Sequence, residues 1–188
     1  MRKIKEKIYP GNIYHILNRG NDKQNIFFEP ENYLFFMRRL RHYVQKFDIL
    51  VICYCLMPNH FHLCLEETVE RGISRAMLGL QTSYAKAINK RRGHTGHVWQ
   101  DTFKYVHVDT DEYLLHLTRY IHLNPVKAGM AEKAEDWEFS SYRDYIGLRR
   151  GTLPKRDIIW SYFSTTAAYR QFVEDYQEEM MGEKYLLE

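Results

Sequence analysis

Residues 48–66 hold two apolar runs, Asp48-Ile49-Leu50-Val51-Ile52-Cys53-Tyr54-Cys55-Leu56 and His60-Phe61-His62-Leu63-Cys64-Leu65-Glu66, parted only by Met57-Pro58-Asn59. Each run has strand length and strand composition. A connection this short between two strands leaves an antiparallel hairpin as the expected arrangement. The second strand carries polar groups where a core wants none. Side chains alternate between the faces of a strand, so His60 and His62 share one face, roughly 6–7 Å apart. Phe61, Leu63 and Leu65 point the other way, into a core. Imidazoles on an apolar strand are costly to leave unsatisfied, and two at this separation can grip one metal ion. Cys64 shares their face, but it lies about 13 Å along the strand from His60. It is therefore read as core, as are Cys53 and Cys55.

The remaining pattern surrounds this hairpin with helices and two more strands. Gly11–Leu17 reads as a strand running into the turn-rich Asn18-Arg19-Gly20-Asn21-Asp22. Pro30-Glu31-Asn32 opens a helix with apolar residues at Tyr33, Leu34, Met37, Leu40 and Val44. A second helical period runs from Ile73 to about Arg92 and is broken by Gly93-His94-Thr95-Gly96. Residues 102–108 read as a fourth strand. Asp109-Thr110-Asp111-Glu112 then supplies N-cap chemistry for a helix running to about Leu123, where Asn124-Pro125 predicts its end. A last helix is expected over Ser164–Met181. The order β-α-β-β-α-β-α predicts an α+β fold of ferredoxin-like (split βαβ) type. That fold is an antiparallel sheet with two helices on one face, and here a further helix leaves the fourth strand near the histidine pair.

Composition narrows the class of partner. Hydrophobic residues make up 45% of the 188-residue chain, enough for a core. No window approaches 18 consecutive apolar residues, so no membrane span is expected. The charged start, Met-Arg-Lys-Ile-Lys-Glu-Lys, does not read as a secretory signal. Three cysteines without framework spacing suggest reduced thiols in a cytoplasmic protein. The net charge of +3 is unevenly spread, because residues 172–188 carry Glu174, Asp175, Glu178, Glu179, Glu183 and Glu188 against Lys184. The basic charge thus concentrates in the body of the chain and fits a nucleic-acid partner. Lys86, Lys90, Arg91, Arg92 and Lys104, with Arg19 and Lys23 in the first loop, are candidate phosphate contacts. A solvated helix face is the plain alternative for the second-helix group.

Tyr120 and Asn124 are four residues apart and share a helical face. A tyrosine is a poor nucleophile at its free pKa of about 10, but a useful one beside a cation-bound phosphate. On chemistry alone Tyr84, Tyr105 and Tyr113 compete with it. Four blocks standing in order decide between them. They are Tyr14-His15-Ile16-Leu17-Asn18-Arg19-Gly20-Asn21, Met57-Pro58-Asn59-His60-Phe61-His62-Leu63, Arg119-Tyr120-Ile121-His122-Leu123-Asn124-Pro125-Val126-Lys127-Ala128-Gly129 and Trp137-Glu138-Phe139-Ser140-Ser141-Tyr142. Together they closely resemble the single-tyrosine HUH transposases, and among these the REP-associated tyrosine transposases.

The resemblance covers roughly residues 8–147, expected as a catalytic domain, with residues 148–188 as a helical extension ending in the acidic tail. It implies that His60, His62 and Asn124 hold a divalent ion, magnesium or manganese, and that Tyr120 is the nucleophile. The implied reaction is metal-dependent cleavage and strand transfer of single-stranded DNA through a 5′-phosphotyrosine, on hairpins formed by imperfect palindromes. Two histidines alone would suggest a softer metal, but phosphate oxygens and water can complete a hard-ion shell. Relatives often carry a base where this chain has Thr102, which leaves Lys104 as the nearby phosphate contact. Relatives also include monomers and homodimers that exchange tyrosines, so the resemblance leaves open which chain's tyrosine serves the pair. Two other classes stay in view, a non-catalytic binder of hairpin DNA or RNA and a metallohydrolase of small phosphoesters.

Overall fold

A computed structural model describes residues 7–175. Four strands, β1 (Asn12–Arg19), β2 (Leu50–Met57), β3 (His60–Glu67) and β4 (Lys104–Val108), form one antiparallel sheet in the order β2-β3-β1-β4. This is the ferredoxin-like arrangement expected from the element order. Helices α1 (Pro30–Lys46) and α2 (Gly72–Arg92) pack on one face, where Ile16, Phe61, Leu63 and Leu65 are fully buried among Phe36, Leu40, Leu80 and Tyr84. Helix α3 (Asp111–Lys127) covers the opposite face, the one that His15, His60, His62, Cys53, Cys55 and Cys64 share. Both faces of β3 are therefore covered, which is why its apolar run is nearly continuous.

Local chemistry explains the helix positions. The carboxylate of Glu67, at the end of β3, accepts hydrogen bonds from the backbone N–H groups of Gly72 (3.0 Å) and Ile73 (2.6 Å), capping the first turn of α2. A Cβ on Gly72 would sit 2.5 Å from the Ile49 Cδ1 and 3.1 Å from the Phe47 carbonyl oxygen, so a larger residue here would require the Ile49 side chain to move. Thr110 Oγ1 accepts from Tyr113 N at 3.1 Å and starts α3 where the N-cap sequence predicts.

The end of α3 corrects the sequence reading. Asn124-Pro125 predicts a stop, yet the helix continues through Lys127 with Pro125 inside it. Proline deletes a single N–H, and Pro125 loses it in the last turn of a helix already held by burial. The stop lies at Gly129, whose φ of +66° is left-handed. Gly129 N donates to Val126 O and Met130 N to Pro125 O, both at 2.9 Å, a Schellman closure. The extra turn keeps Asn124 helical, one turn beyond Tyr120.

Beyond α3 the chain folds back along the sheet. Trp137 Nε1 donates to Leu56 O, Leu56 N to Phe139 O and Ser141 N to Tyr54 O, so residues 137–141 cover the outer edge of β2. Arg149 binds the buried Asp144 carboxylate through two nitrogens and reaches Tyr54 Oη and two carbonyl groups. Short helices α4 (Tyr142–Tyr145) and α5 (Asp157–Trp160) lead to α6 (Thr166–Glu174), whose Tyr169 and Val173 join the α3-side core. The last residues of the helix expected over Ser164–Met181, and most of the acidic tail, lie outside the described residues. Among the described residues no helix is long and apolar enough to cross a membrane.

Candidate active site

Helix α3 brings Tyr120 and Asn124 down onto the histidine-bearing face of β3. Asn124 lies between the two imidazoles, its Oδ1 3.3 Å from His60 Nε2 and its Nδ2 3.3 Å from His62 Nε2. The Tyr120 ring stands edge-on to His62, centroids 5.5 Å apart at 83°. The four side chains that the resemblance singles out are thus neighbours within one chain. Tyr120 is 3% exposed, and the Lys127 ammonium, two helical turns on, sits 5.2 Å from its ring centroid. Of the competing tyrosines, Tyr84 is fully buried with its hydroxyl donating to Ile26 O. Tyr105 faces the other side of β4, against Tyr14 and Phe103.

The chain orients the imidazoles from behind. Asn59 Nδ2 donates to Lys23 O at 3.3 Å, so its Oδ1 faces His60 and accepts from the His60 Nδ1–H at 2.6 Å. With that proton on Nδ1, Nε2 is the lone-pair nitrogen of the His60 ring, and it lies 3.3 Å from the Asn124 amide oxygen. Two neutral imidazole nitrogens and one amide converge at this point, a donor set that a divalent cation accepts. A divalent ion therefore suits this set, with His60 Nε2, His62 Nε2 and Asn124 Oδ1 as the protein donors. Among the described residues no cluster of three or more His, Cys, Asp or Glu side chains offers a competing metal site.

Behind His62, its Nδ1 lies 2.9 Å from Nε2 of His15 on the neighbouring β1, and the two rings stack. Burial holds both rings neutral. The His15 pKa is pushed down to about 3. That of His62 is driven well below its ordinary value by burial first, then by the nearby His15 and His60. Neutral imidazole is the form that binds metal.

The basic residues separate into three groups. Arg19, Lys23 and Lys104 line a cavity of about 320 Å³ together with Asn59, His60 and His62. Arg19 sits directly across the β1–β3 ladder from His60, and its Nε donates to Gln100 Oε1. Lys86 lines a second, open groove between α2 and residues 96–102. The two hollows share Gln100, Asp101 and Thr102. At the end of α2, Arg91 pairs with Glu29 at 2.6 Å and Arg92 lies over the Phe28 ring at 4.1 Å, tying the helix to the segment before α1, while Lys90 is exposed beside them. Trp99 packs against Phe61 and Tyr84 and donates to Gln81 O, so its ring belongs to the helix-side core.

Three neighbours of the site were not singled out from sequence. His15 carried a signal of the same kind as the pair, an imidazole inside an apolar strand. Lys127 follows Tyr120 at helical spacing on the same face. Asn59 gave no signal beyond its place in the turn.

Comparison with known proteins bears on this geometry. Residues 9–124 match the protein family described as "Transposase IS200 like". A Haemophilus influenzae protein assigned to the REP-associated tyrosine transposases is 23% identical over 108 residues, which is 52% of this chain. The chain spans about three fifths (61%) of that relative's length. The solved structure of a REP-associated tyrosine transposase bound to a REP hairpin superposes with a TM-score of 0.68 at 16% identity, covering 78% of this chain and 86% of that one. At this identity the superposition speaks to the fold.

Proposed function

The chain belongs to the IS200-like transposase family, and from that premise we propose that it cleaves and rejoins single-stranded DNA through Tyr120, at a phosphodiester bound by His60, His62 and Asn124. The observation that carries this reading is the convergence of both histidine Nε2 atoms on the Asn124 amide, with the Tyr120 ring 5.5 Å from His62. The Tyr120 hydroxyl oxygen attacks the scissile phosphorus and forms a new O–P bond. The bond from phosphorus to the 3′-oxygen breaks. The tyrosine proton is lost, and the 3′-oxygen takes up a proton to leave as a hydroxyl. The 5′-phosphate stays on Tyr120, so attack by a 3′-hydroxyl reverses the step and rejoins DNA without an external energy source. A magnesium or manganese ion held by His60, His62 and Asn124 would polarise the phosphate and neutralise its charge.

The protein's other residues supply position. Asn59 fixes the His60 ring, and Arg19, Lys23 and Lys104 bring cationic charge to the cavity beside it. The shared residues Gln100, Asp101 and Thr102 offer a strand a continuous track from the histidines to Lys86. The structural neighbour was solved bound to a REP hairpin, which supports a DNA hairpin as the proposed substrate class.

The test is a 3′-labelled hairpin oligonucleotide with a single-stranded flank, incubated with the protein and manganese, so that the label stays with the fragment joined to Tyr120. A covalent protein–DNA adduct should form, be lost in Tyr120→Phe and be lost in His60→Ala. Binding without an adduct on any palindromic substrate would favour a non-catalytic binder. Hydrolysis that survives Tyr120→Phe but not His60→Ala would favour a metallohydrolase.

A further inference from the structure

His15 lies in β1, the strand between β3 and β4, and is fully buried. Its Nε2 is 2.9 Å from His62 Nδ1, its ring stacks on His62 with centroids 5.2 Å apart, and its edge meets Tyr120 at 6.4 Å. Its other nitrogen, Nδ1, is buried without a hydrogen-bond partner among the described residues.

The proton arithmetic of this pair is restrictive. A neutral imidazole has one N–H. If His62 offers its Nε2 lone pair to an ion, its only proton is on Nδ1. The acceptor that it meets is His15 Nε2, 2.9 Å away, which must then be bare, with the His15 proton on Nδ1. The opposite arrangement, a His15 Nε2–H donating to His62, would put the His62 proton on Nε2 and aim it at the ion. Among the described residues nothing bonds His15 Nδ1, so no group behind it dictates the tautomer. The bond to His62 alone decides it.

We propose that His15 is a positioning residue that accepts the His62 Nδ1–H and so holds His62 in the tautomer that presents Nε2 to the ion. It plays for His62 the part that Asn59 plays for His60. The site then rests on two neutral second neighbours, one from the turn before β3 and one from the adjacent strand. This inference rests on the reading of His60 and His62 as ion ligands.

The test compares manganese affinity, measured on the DNA-free protein from the electron paramagnetic resonance of free Mn²⁺, in wild type, His15→Gln and His15→Leu. Glutamine can turn an amide oxygen to the His62 N–H, whereas leucine fills the space without an acceptor. Leucine should weaken manganese binding about 10–100-fold, and glutamine should recover most of the loss. ¹⁵N NMR of wild-type protein with diamagnetic magnesium should show His62 protonated on Nδ1. Equal affinity in all three proteins, equal loss in both variants, or a His62 proton on Nε2 would each overturn the proposal. The NMR result decides even if the leucine variant does not fold. A wild type that binds no manganese would remove the ion reading itself. That outcome is distinct from a wild type that binds while the leucine variant is unchanged, which removes only the role of His15.

Discussion

The Tyr120 ring meets the His62 imidazole of the same chain edge-on, at 5.5 Å and 83°. The resemblance left open whether the tyrosine serves its own histidine pair or a partner's. Here the β4–α3 connection is short, Asp109-Thr110, and α3 turns straight back over the histidine face. Geometry of this kind lets one chain supply the proposed nucleophile and the proposed ion ligands together.

Asn59 should matter out of proportion to its exposure. Replacing it with alanine removes the acceptor for His60 Nδ1–H and the tie to Lys23 O. Loss of such an outer partner costs about 10–100-fold in metal affinity. Calorimetric titration with Mn²⁺ should show that loss in Asn59→Ala with little change in thermal stability. An unchanged affinity would mean that His60 is oriented by something else.

Acid should destabilise the ion-free fold in a defined direction. Burial lowers His15 and His122 from 6.5 to about 3. Below pH 6.5 the unfolded chain takes up protons on these groups while the folded chain does not. Stability is therefore fully present above about 6.5 and declines as pH falls toward 3, by about 1.4 kcal/mol per pH unit for each group. His122 bridges Tyr169 Oη and Ser141 Oγ, at 2.7 and 2.8 Å. His122→Gln should flatten the dependence of urea-unfolding free energy on pH between 6 and 4. Identical slopes in wild type and variant would show that His122 is not the buried neutral group described.

The basic residues should sort by place. Lys23→Ala and Lys104→Ala act at the histidine cavity and Lys86→Ala along the adjoining groove. Each should weaken binding of a hairpin with a single-stranded flank and reduce the salt dependence of affinity by about one phosphate contact. Arg91 already pairs with Glu29, and Arg91→Ala should change the slope less. Filter-binding isotherms across a range of salt concentrations give all four slopes. A larger effect at Arg91 than at Lys86 would move the DNA path to the far end of α2.

Gly129 should be sensitive although a Cβ there would meet nothing within 4 Å. Its φ of +66° is what an L side chain resists, at a cost of about 1–2 kcal/mol. Denaturant unfolding of Gly129→Ala should show that loss. No loss would mean that the turn after α3 adapts without a left-handed residue.

Much of this was legible from residue order. Alternation in β3 separated the histidines from Phe61, Leu63 and Leu65, and the helical spacing of Tyr120 and Asn124 placed both on one face. Two things were hidden. Proline is a strong local signal and points to a stop at Pro125, while burial of α3 against the sheet carries the helix through Lys127, with the left-handed Gly129 closing it. The orienting neighbours were hidden because His15 and Asn59 reach their partners through strand register and turn shape, which local patterns do not encode. His15 is 47 residues from His62 along the chain.

The most direct test of a site complete in one chain mixes two inactive proteins, Tyr120→Phe and the double variant His60→Ala, His62→Ala. Each alone should form no adduct with the hairpin oligonucleotide in manganese. The account predicts that an equimolar mixture also forms none, while wild type forms adduct with a rate constant that does not depend on protein dilution once DNA is bound. Adduct on the double variant in the mixture would show a tyrosine working at its partner's histidines, and would contradict it.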